Sequence, residues 1–288
     1  LDLELVAMTS NEKKTGLKRQ TIDKFYTKPS VAQALVDFVL QHIELDTDHD
    51  LLIEPSAGNG SFVDPLRKTG CVTWFYDISP EHPDVQQQDY LEFNPAGLTT
   101  KKIHVIGNPP FGRQSTLAIQ FIKHSALFAE SFSFILPRSF KKDSLMSKVP
   151  SMFHLVAEKD MGNASFLVDG NEYEVPCVFQ IWKRSSIARA VIEKQKPCGY
   201  CFVKYTQPHD IAVRRVGIYA GRVVSTNTSE LSPQSHYYIK FDKNVELASG
   251  LVAALNSVKY KTKECVSGPC SIGQQDIIPE YNKILGSL

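Results

Sequence analysis

The stretch Gly107-Asn108-Pro109-Pro110-Phe111-Gly112 concentrates more chemical potential than any other in this chain. Two consecutive prolines end a strand and fix the backbone. A plain turn needs neither an asparagine before them nor an aromatic ring after. An exocyclic amino group on a purine is a poor nucleophile, because its lone pair is delocalised into the ring. The Asn108 side-chain oxygen and the Pro109 carbonyl can accept its two hydrogens. That draws the nitrogen toward tetrahedral geometry and aligns its lone pair with an electrophile such as a sulfonium methyl group. Phe111 can stack on the face of the base. No cysteine sits where a covalent nucleophile would be needed.

Three further loops have partial signals. Glu54-Pro55-Ser56-Ala57-Gly58-Asn59-Gly60-Ser61-Phe62 follows an apolar run and precedes a helical stretch. Its glycines let backbone approach a ligand, and free amides at a helix start favour an anionic or carboxylate end. It has neither the three-glycine dinucleotide fingerprint nor the Lys-Ser/Thr of a phosphate loop, so a cofactor loop and a tight turn both remain open. Asp77, at the end of the next strand, suits a ribose diol or a turn. Gln88-Asp89-Tyr90 offers an acceptor for an adenine amino group beside an aromatic ring, or again a turn.

These loops must be held by elements that bring them to one place. The predicted order is a helix from Pro29 with Ser30 as its cap, the strand Leu51-Leu52-Ile53, a short helix, and the strand Val72 to Tyr76. Then come the strand Ile103 to Ile106, a helix from Ser115 to Phe128 and the strand Phe132 to Leu136. Strands alternating with helices imply a parallel, doubly wound α/β sheet, whose ligands sit beyond the carboxyl ends of the strands. Phe153 to Lys159 and Glu172 to Lys183 read as two more strands, an antiparallel pair at the sheet edge. Beyond Ser185-Ser186 the pattern changes to strands at Gly199 to Tyr205, Ile211 to Val216 and Tyr237 to Phe241, then helices at Val245 to Asn256 and Gln274 to Leu285. The expected organisation is a flexible segment over 1–20, the principal α/β domain over 21–186 and a smaller α+β module over 187–288.

The chain has 288 residues, 42% hydrophobic and 22% charged, with a net charge of +1. This is an ordinary globular profile. It excludes a histone-like polycation, so contact with nucleic acid must come from local patches. Candidates are Lys13, Lys14, Lys18 and Arg19; Lys141 and Lys142; and Lys259, Lys261 and Lys263. Arg214-Arg215 through Arg222, with Gly217 and Gly221, suits phosphate contacts or an edge hairpin with surface arginines. His236-Tyr237-Tyr238 adds aromatics. No apolar run reaches membrane-spanning length, and the first residues do not read as a secretory signal. Cys198-x-x-Cys201 with Cys265 and Cys270 lacks the tight second pair of a zinc site. No metal is expected, and reduced thiols fit a cytoplasmic or nuclear, intracellular protein.

Taken together, the motifs resemble those of the Asn/Asp-Pro-Pro-aromatic amino-methyltransferases of the Rossmann-like class. The similarity runs over about Thr21 to Arg184. It is greatest to DNA adenine-N6 methyltransferases whose cofactor motifs precede the catalytic one and whose target-recognition region is C-terminal. The resemblance implies S-adenosylmethionine as cofactor. Tyr26 and Thr27, within Asp23 to Pro29, would touch its methionine end. Glu54, Ser56, Ala57, Gly58 and Gly60 would form its loop, Asp77 would hold the ribose, and Asp89 with Tyr90 the adenine. Asn108, Pro109, Pro110 and Phe111 would bind the target, Asn108 also bordering the cofactor. Phe166, in Asn163-Ala164-Ser165-Phe166, would complete a stacking sandwich or belong to the core. Arg214 and Arg215 would help grip a nucleic acid whose target base is flipped out of its stack. The expected reaction is formation of N6-methyladenine in DNA. The same family pattern occurs in RNA amino-methyltransferases and protein glutamine methyltransferases, and both remain alternatives.

Overall fold

The computed structural model describes residues 25–98, 102–162, 164–168, 170–191, 193–243, 245, 249–261, 263–265 and 270–286. The lysine-rich cluster at 13–19, Asp23, Lys24 and Asn163 lie outside the described residues.

Strands and helices are numbered in chain order. Seven strands form the central sheet: β2 (Leu51–Glu54), β3 (Val72–Asp77), β4 (Gln86–Gln87), β5 (Ile103–Gly107), β6 (Ser131–Pro137), β7 (Phe153–Asp160) and β10 (Cys177–Arg184). Their order across the sheet is β4-β3-β2-β5-β6-β10-β7. All run parallel except β10, which is antiparallel to both β6 and β7. The fold is therefore an α/β, Rossmann-like sheet with a reversed strand next to its edge. Strand order reverses direction between β2 and β5, the place where open α/β sheets take ligands.

Apolar residues cover both faces of this sheet, as a parallel sheet requires. Alternate residues face opposite sides. Leu52, Phe75, Ile106 and Ile135 join one core with helices α1 (Pro29–Leu40) and α2 (Val63–Arg67). Leu51, Ile53, Val105 and Phe134 join the other with α3 (Thr116–Phe128) and α4 (Asp143–Met146). Trp182 is fully buried in that second core and stacks on Phe132 at 6.1 Å. Each such side chain contributes about 1.5–3 kcal/mol by leaving water. The buried polar Gln180 is accommodated because its amide donates to Glu158 at 3.1 Å and accepts from the Trp182 indole at 3.1 Å.

A second sheet of three short strands, β1 (Tyr26–Thr27), β8 (Phe166–Val168) and β9 (Asn171–Tyr173), pairs Thr27 with Phe166 and Phe166 with Tyr173. A third, wholly antiparallel, runs β11-β14-β12-β13, formed by Tyr200–Val203, His236–Phe241, Ile211–Arg214 and Val223–Val224. Helices α5 (Ser249–Asn256) and α6 (Gln274–Leu285) supply residues to its separate core. Hydrogen bonds hold the chain to the central sheet as far as Arg189, which reaches Ser151 and Val149. The C-terminal module holds it from Gln195, whose side chain and the following Lys196 carbonyl both accept from Asn282. Lys142 donates to the Ser271 carbonyl at 3.0 Å and ties the two together.

Three expectations change. Helix α1 begins at Pro29, with Lys28 and not Ser30 in the capping position and no side-chain cap. Proline suits the first helical residue, where an N–H would have no partner, so Ser30 falls inside the first turn. The strand expected over Glu172 to Lys183 is two, β9 and β10, because Pro176 lacks the N–H a ladder needs. Helix α5 is described from Ser249; residues 246–248 of its expected start lie outside the described residues.

Candidate active site

The carboxyl ends of β2, β3 and β5 open into a cavity of about 410 Å³. The buried run Leu51–Glu54 delivers Glu54 and the glycine loop. Val72–Asp77 delivers Asp77, and Ile103–Gly107 delivers Asn108 to Phe111. Strand β1 crosses the opening as a strap, adding Phe25, Tyr26 and Thr27 to the lining.

The glycine loop is built around positive backbone angles. Gly58 has φ +47°, and a Cβ there would lie 3.3 Å from the Tyr26 ring. Gly60 has φ +83°, and a Cβ would fall 2.5 Å from the His82 ring. Gly60 does not line the cavity; it lets His82 close under the turn. Asp77 does two jobs at once. Its Oδ2 accepts from the Gly58 amide at 2.8 Å and its Oδ1 from the Ser79 amide at 2.8 Å, while the residue lines the cavity. The turn reading and the ligand reading of Asp77 are therefore compatible. Asp89 similarly caps a short 3-10 turn through the Leu91 amide at 2.9 Å and lines the cavity. Tyr90 is buried and also lines it. Ser125 gives its own proton to the Phe121 carbonyl, so the Tyr90 hydroxyl donates to Ser125 Oγ at 2.8 Å. The polar end is thus satisfied and the ring is left as an apolar wall with Leu91 and Phe121.

The Asn108 side chain is fixed from one side. Its Nδ2 donates to the Phe25 carbonyl at 2.9 Å, and its backbone carbonyl accepts from Ser56 Oγ at 3.0 Å. Its Oδ1 is buried and has no hydrogen-bond partner among the described residues. Thr27 Oγ1 and Glu54 Oε2, two more polar atoms of lining residues, are in the same condition. A buried acceptor left unmade costs about 1–3 kcal/mol, so three around one cavity mark a place meant to be filled. Burial first, and the charge of Asp77 second, push the Glu54 carboxyl well above its usual pKa.

Four carboxyl groups line this cavity, from Glu54, Asp77, Glu81 and Asp89, and among the described residues no lysine, arginine or histidine does. Such a lining repels phosphates and favours a cation with hydroxyl groups. Glu81 was invisible in the sequence. It lies in the loop after β3 with no pattern around it, and it accepts from the Tyr26 hydroxyl at 2.6 Å. Phe25 and Phe62, which lie within the quoted motifs without an expected contact, line the cavity too, as does Phe121 of α3.

Thus Tyr26, Thr27, Glu54, Ser56, Ala57, Gly58, Asp77, Asp89, Tyr90 and Asn108 to Phe111 are brought together. Phe166 is not. It is 1% exposed, packed in the core behind the strap with its ring 6.3 Å from Phe25, so the core role holds. Arg214 and Arg215 lie in and just after β12 and do not line the cavity. Arg214 Nε donates to the Val216 carbonyl, and the Arg215 guanidinium sits 5.0 Å over the Tyr237 ring. Among the described residues no metal-ligating cluster occurs, and no helix is long and apolar enough to cross a membrane.

No protein-family model and no curated protein matches this chain. Among solved structures it is similar to a provisionally assigned class I S-adenosylmethionine-dependent methyltransferase from Listeria monocytogenes. The two share 13% identity over 62% of this chain and 66% of that one, with a TM-score of 0.44. It is similar to a provisionally assigned RNA methyltransferase from Pyrococcus horikoshii at 14% identity, covering 61% and 94%, TM-score 0.40. A third is magnesium protoporphyrin IX methyltransferase from Synechocystis with bound S-adenosylmethionine, at 16% identity, covering 55% and 79%, TM-score 0.39. The strand order, with β10 reversed beside the edge, is that of an open Rossmann-like α/β sheet.

Proposed function

We propose that the protein transfers a methyl group from S-adenosylmethionine to the exocyclic N6 amino group of adenine in DNA. The observation that carries this reading is the Asn108 amide. Its nitrogen is committed to the Phe25 carbonyl, leaving a buried acceptor without a partner at the rim of an acid-lined cavity.

The residues fit the cofactor. S-adenosylmethionine supplies an electrophilic methyl group on a positively charged sulfur, together with an ammonium group, a ribose diol and an adenine ring. Thr27 Oγ1 and Glu54 Oε2 are unsatisfied partners for polar groups at the strap end, Asp77 is placed for the diol, and Asp89, Leu91, Tyr90 and Phe121 suit a purine. On the target side, Asn108 Oδ1 and the Pro109 carbonyl accept the two amino hydrogens and turn the nitrogen lone pair toward the methyl group. Phe111 stacks on the base. The step needs no general base, since the amino nitrogen sheds its proton to water once it has been alkylated. Catalysis is positioning and electrostatics.

The test is transfer of labelled methyl from S-adenosylmethionine to separate pools of duplex DNA, single-stranded DNA, structured RNA and protein, followed by nucleoside analysis. Label as N6-methyladenine in DNA is the expected result. Label in RNA or on protein glutamine overturns the substrate while keeping the Asn108 chemistry, and label in no pool overturns the proposal.

A further inference from the structure

The C-terminal module contains a second cleft of about 410 Å³, at the ends of β11 and β14. Its lining includes the aromatic residues Phe202, Tyr205, Tyr237 and Tyr238, with the exposed Lys204 and the buried His236. The polar ends of two tyrosines are occupied. Tyr238 donates to the Leu231 carbonyl at 2.6 Å and Tyr237 to the Ile272 carbonyl at 3.5 Å, so what these residues offer is ring faces and edges. Tyr205 is different: it is 51% exposed and stands 6.4 Å from the Tyr238 ring. A turn holds it there, the Lys204 amide donating to the Gln207 side chain at 2.8 Å and the Gln207 amide to the Lys204 carbonyl at 2.9 Å.

The charge of this cleft is the opposite of the first. Among the described residues no carboxylate lines it and Lys204 forms no ion pair. Close by, Arg215 lies over Tyr237 with its Nε buried and without a partner. A planar, polarizable ligand joined to an anion suits such a lining: rings for the planar part, a lysine for the charge. A buried water-filled role is ill suited to walls this apolar, and a large exposed tyrosine held by a rigid turn marks a contact surface.

We propose that this cleft holds one unpaired nucleobase of the substrate strand, with Lys204 on its phosphate. The proposal rests on the reading of the substrate as nucleic acid. It supplies the grip outside the catalytic cavity that extrusion of a target base requires, and it places that grip on Tyr205 and Lys204 rather than on Arg214.

Equilibrium anisotropy of a labelled 12-nucleotide single strand, DNA and RNA in parallel, tests it on the full chain. Tyr205→Ala is expected to weaken binding by about 5- to 150-fold, the worth of one stacked base. Tyr205→Trp should bind like wild type, because the ring is kept. Lys204→Ala should lower the slope of log affinity against log salt by about one phosphate contact. Whichever of DNA and RNA shows the Tyr205 dependence identifies the source of the base. Binding of Tyr205→Ala within twofold of wild type on both strands overturns the proposal, provided its melting temperature is unchanged. So does a Tyr205 dependence seen only with a protein substrate. Binding is read without turnover, so failure of methyl transfer to any nucleic acid would sink the preceding reading and leave the cleft to be judged by its own measurement.

Discussion

Replacing Asn108 separates the chemistry of this site from its architecture. In Asn108→Ala two things vanish: the unpartnered Oδ1 and the Nδ2 donor to the Phe25 carbonyl. Loss of one preorganised hydrogen-bonding group aimed at developing charge costs about 10²–10³ in turnover, or about 2.7–4 kcal/mol. Loss of the neutral bond to Phe25 costs about 1 kcal/mol, a factor of about five in whatever depends on the strap. Since Thr27, Glu54 and Asp77 are untouched, S-adenosylmethionine should bind within about tenfold of wild type while kcat falls by at least two decades. Asn108→Asp sharpens the point. It restores an acceptor but sets an oxygen against the Phe25 carbonyl oxygen, a contact tolerated only with a proton between them. Its activity should therefore be partial and should rise as pH falls. Calorimetry for the cofactor and single-turnover methyl transfer for the step provide the two readouts. Wild-type turnover by Asn108→Ala would refute the lone-pair mechanism, and a collapse of cofactor binding in parallel with turnover would show that Asn108 is a structural member of the strap.

Two more substitutions probe the cofactor half. Burial first, and Asp77 second, raise the Glu54 carboxyl well above its usual pKa. An acid whose folded pKa is raised stabilises the protein most below its unfolded value and loses that contribution as pH rises toward the folded value. Urea unfolding of the free protein should accordingly show stability declining above about pH 4.5, and Glu54→Gln should flatten this slope while weakening S-adenosylmethionine; an unchanged slope would remove Glu54 from the account. Cofactor binding by the wild type should release a proton and strengthen with rising pH, which calorimetry in buffers of different ionisation heat will detect. Gly60→Ala must adopt φ +83° and place a Cβ 2.5 Å from His82. The combined strain and overpacking cost about 2–5 kcal/mol, seen as a lower melting temperature, and relief by a second change, His82→Ala, should be partial because the backbone strain remains.

Three loops of this site were legible in the sequence because each ends an apolar strand of the central sheet. Leu51-Leu52-Ile53, Val72 to Tyr76 and Ile103 to Ile106 are short apolar runs stopped by glycine, aspartate or proline, and a doubly wound sheet gathers such stops at one edge. What stayed hidden depends on long-range pairing. The strap is two residues long and is held by β8, about 140 positions away, with Thr27 opposite Phe166. Nothing near residue 26 announces that partner. The same pairing explains why Phe166 read ambiguously. An aromatic after a polar turn looks like a stacking platform until the strand beside it is known, and here that strand covers it. Glu81 stayed hidden for a related reason, since its partner Tyr26 is 55 positions distant.

The strap also changes what the asparagine-proline-proline-phenylalanine motif means. The motif supplies an amide, but an amide has two ends, and only one of them can accept hydrogens from an amino group. The Phe25 carbonyl, a backbone group in the stretch before α1, takes the Nδ2 end and so decides which end of the amide is left free to accept. Phe25 and Tyr26 bond to Asn108 and Glu81 respectively, so the strap links two sides of the cavity. On the proposed function, orientation of the acceptor and contact with the cofactor would be properties of one short segment. A cofactor group that engages Thr27 would steady the carbonyl that orients Asn108, which gives the site a physical reason to present its acceptor correctly when the methyl donor is in place.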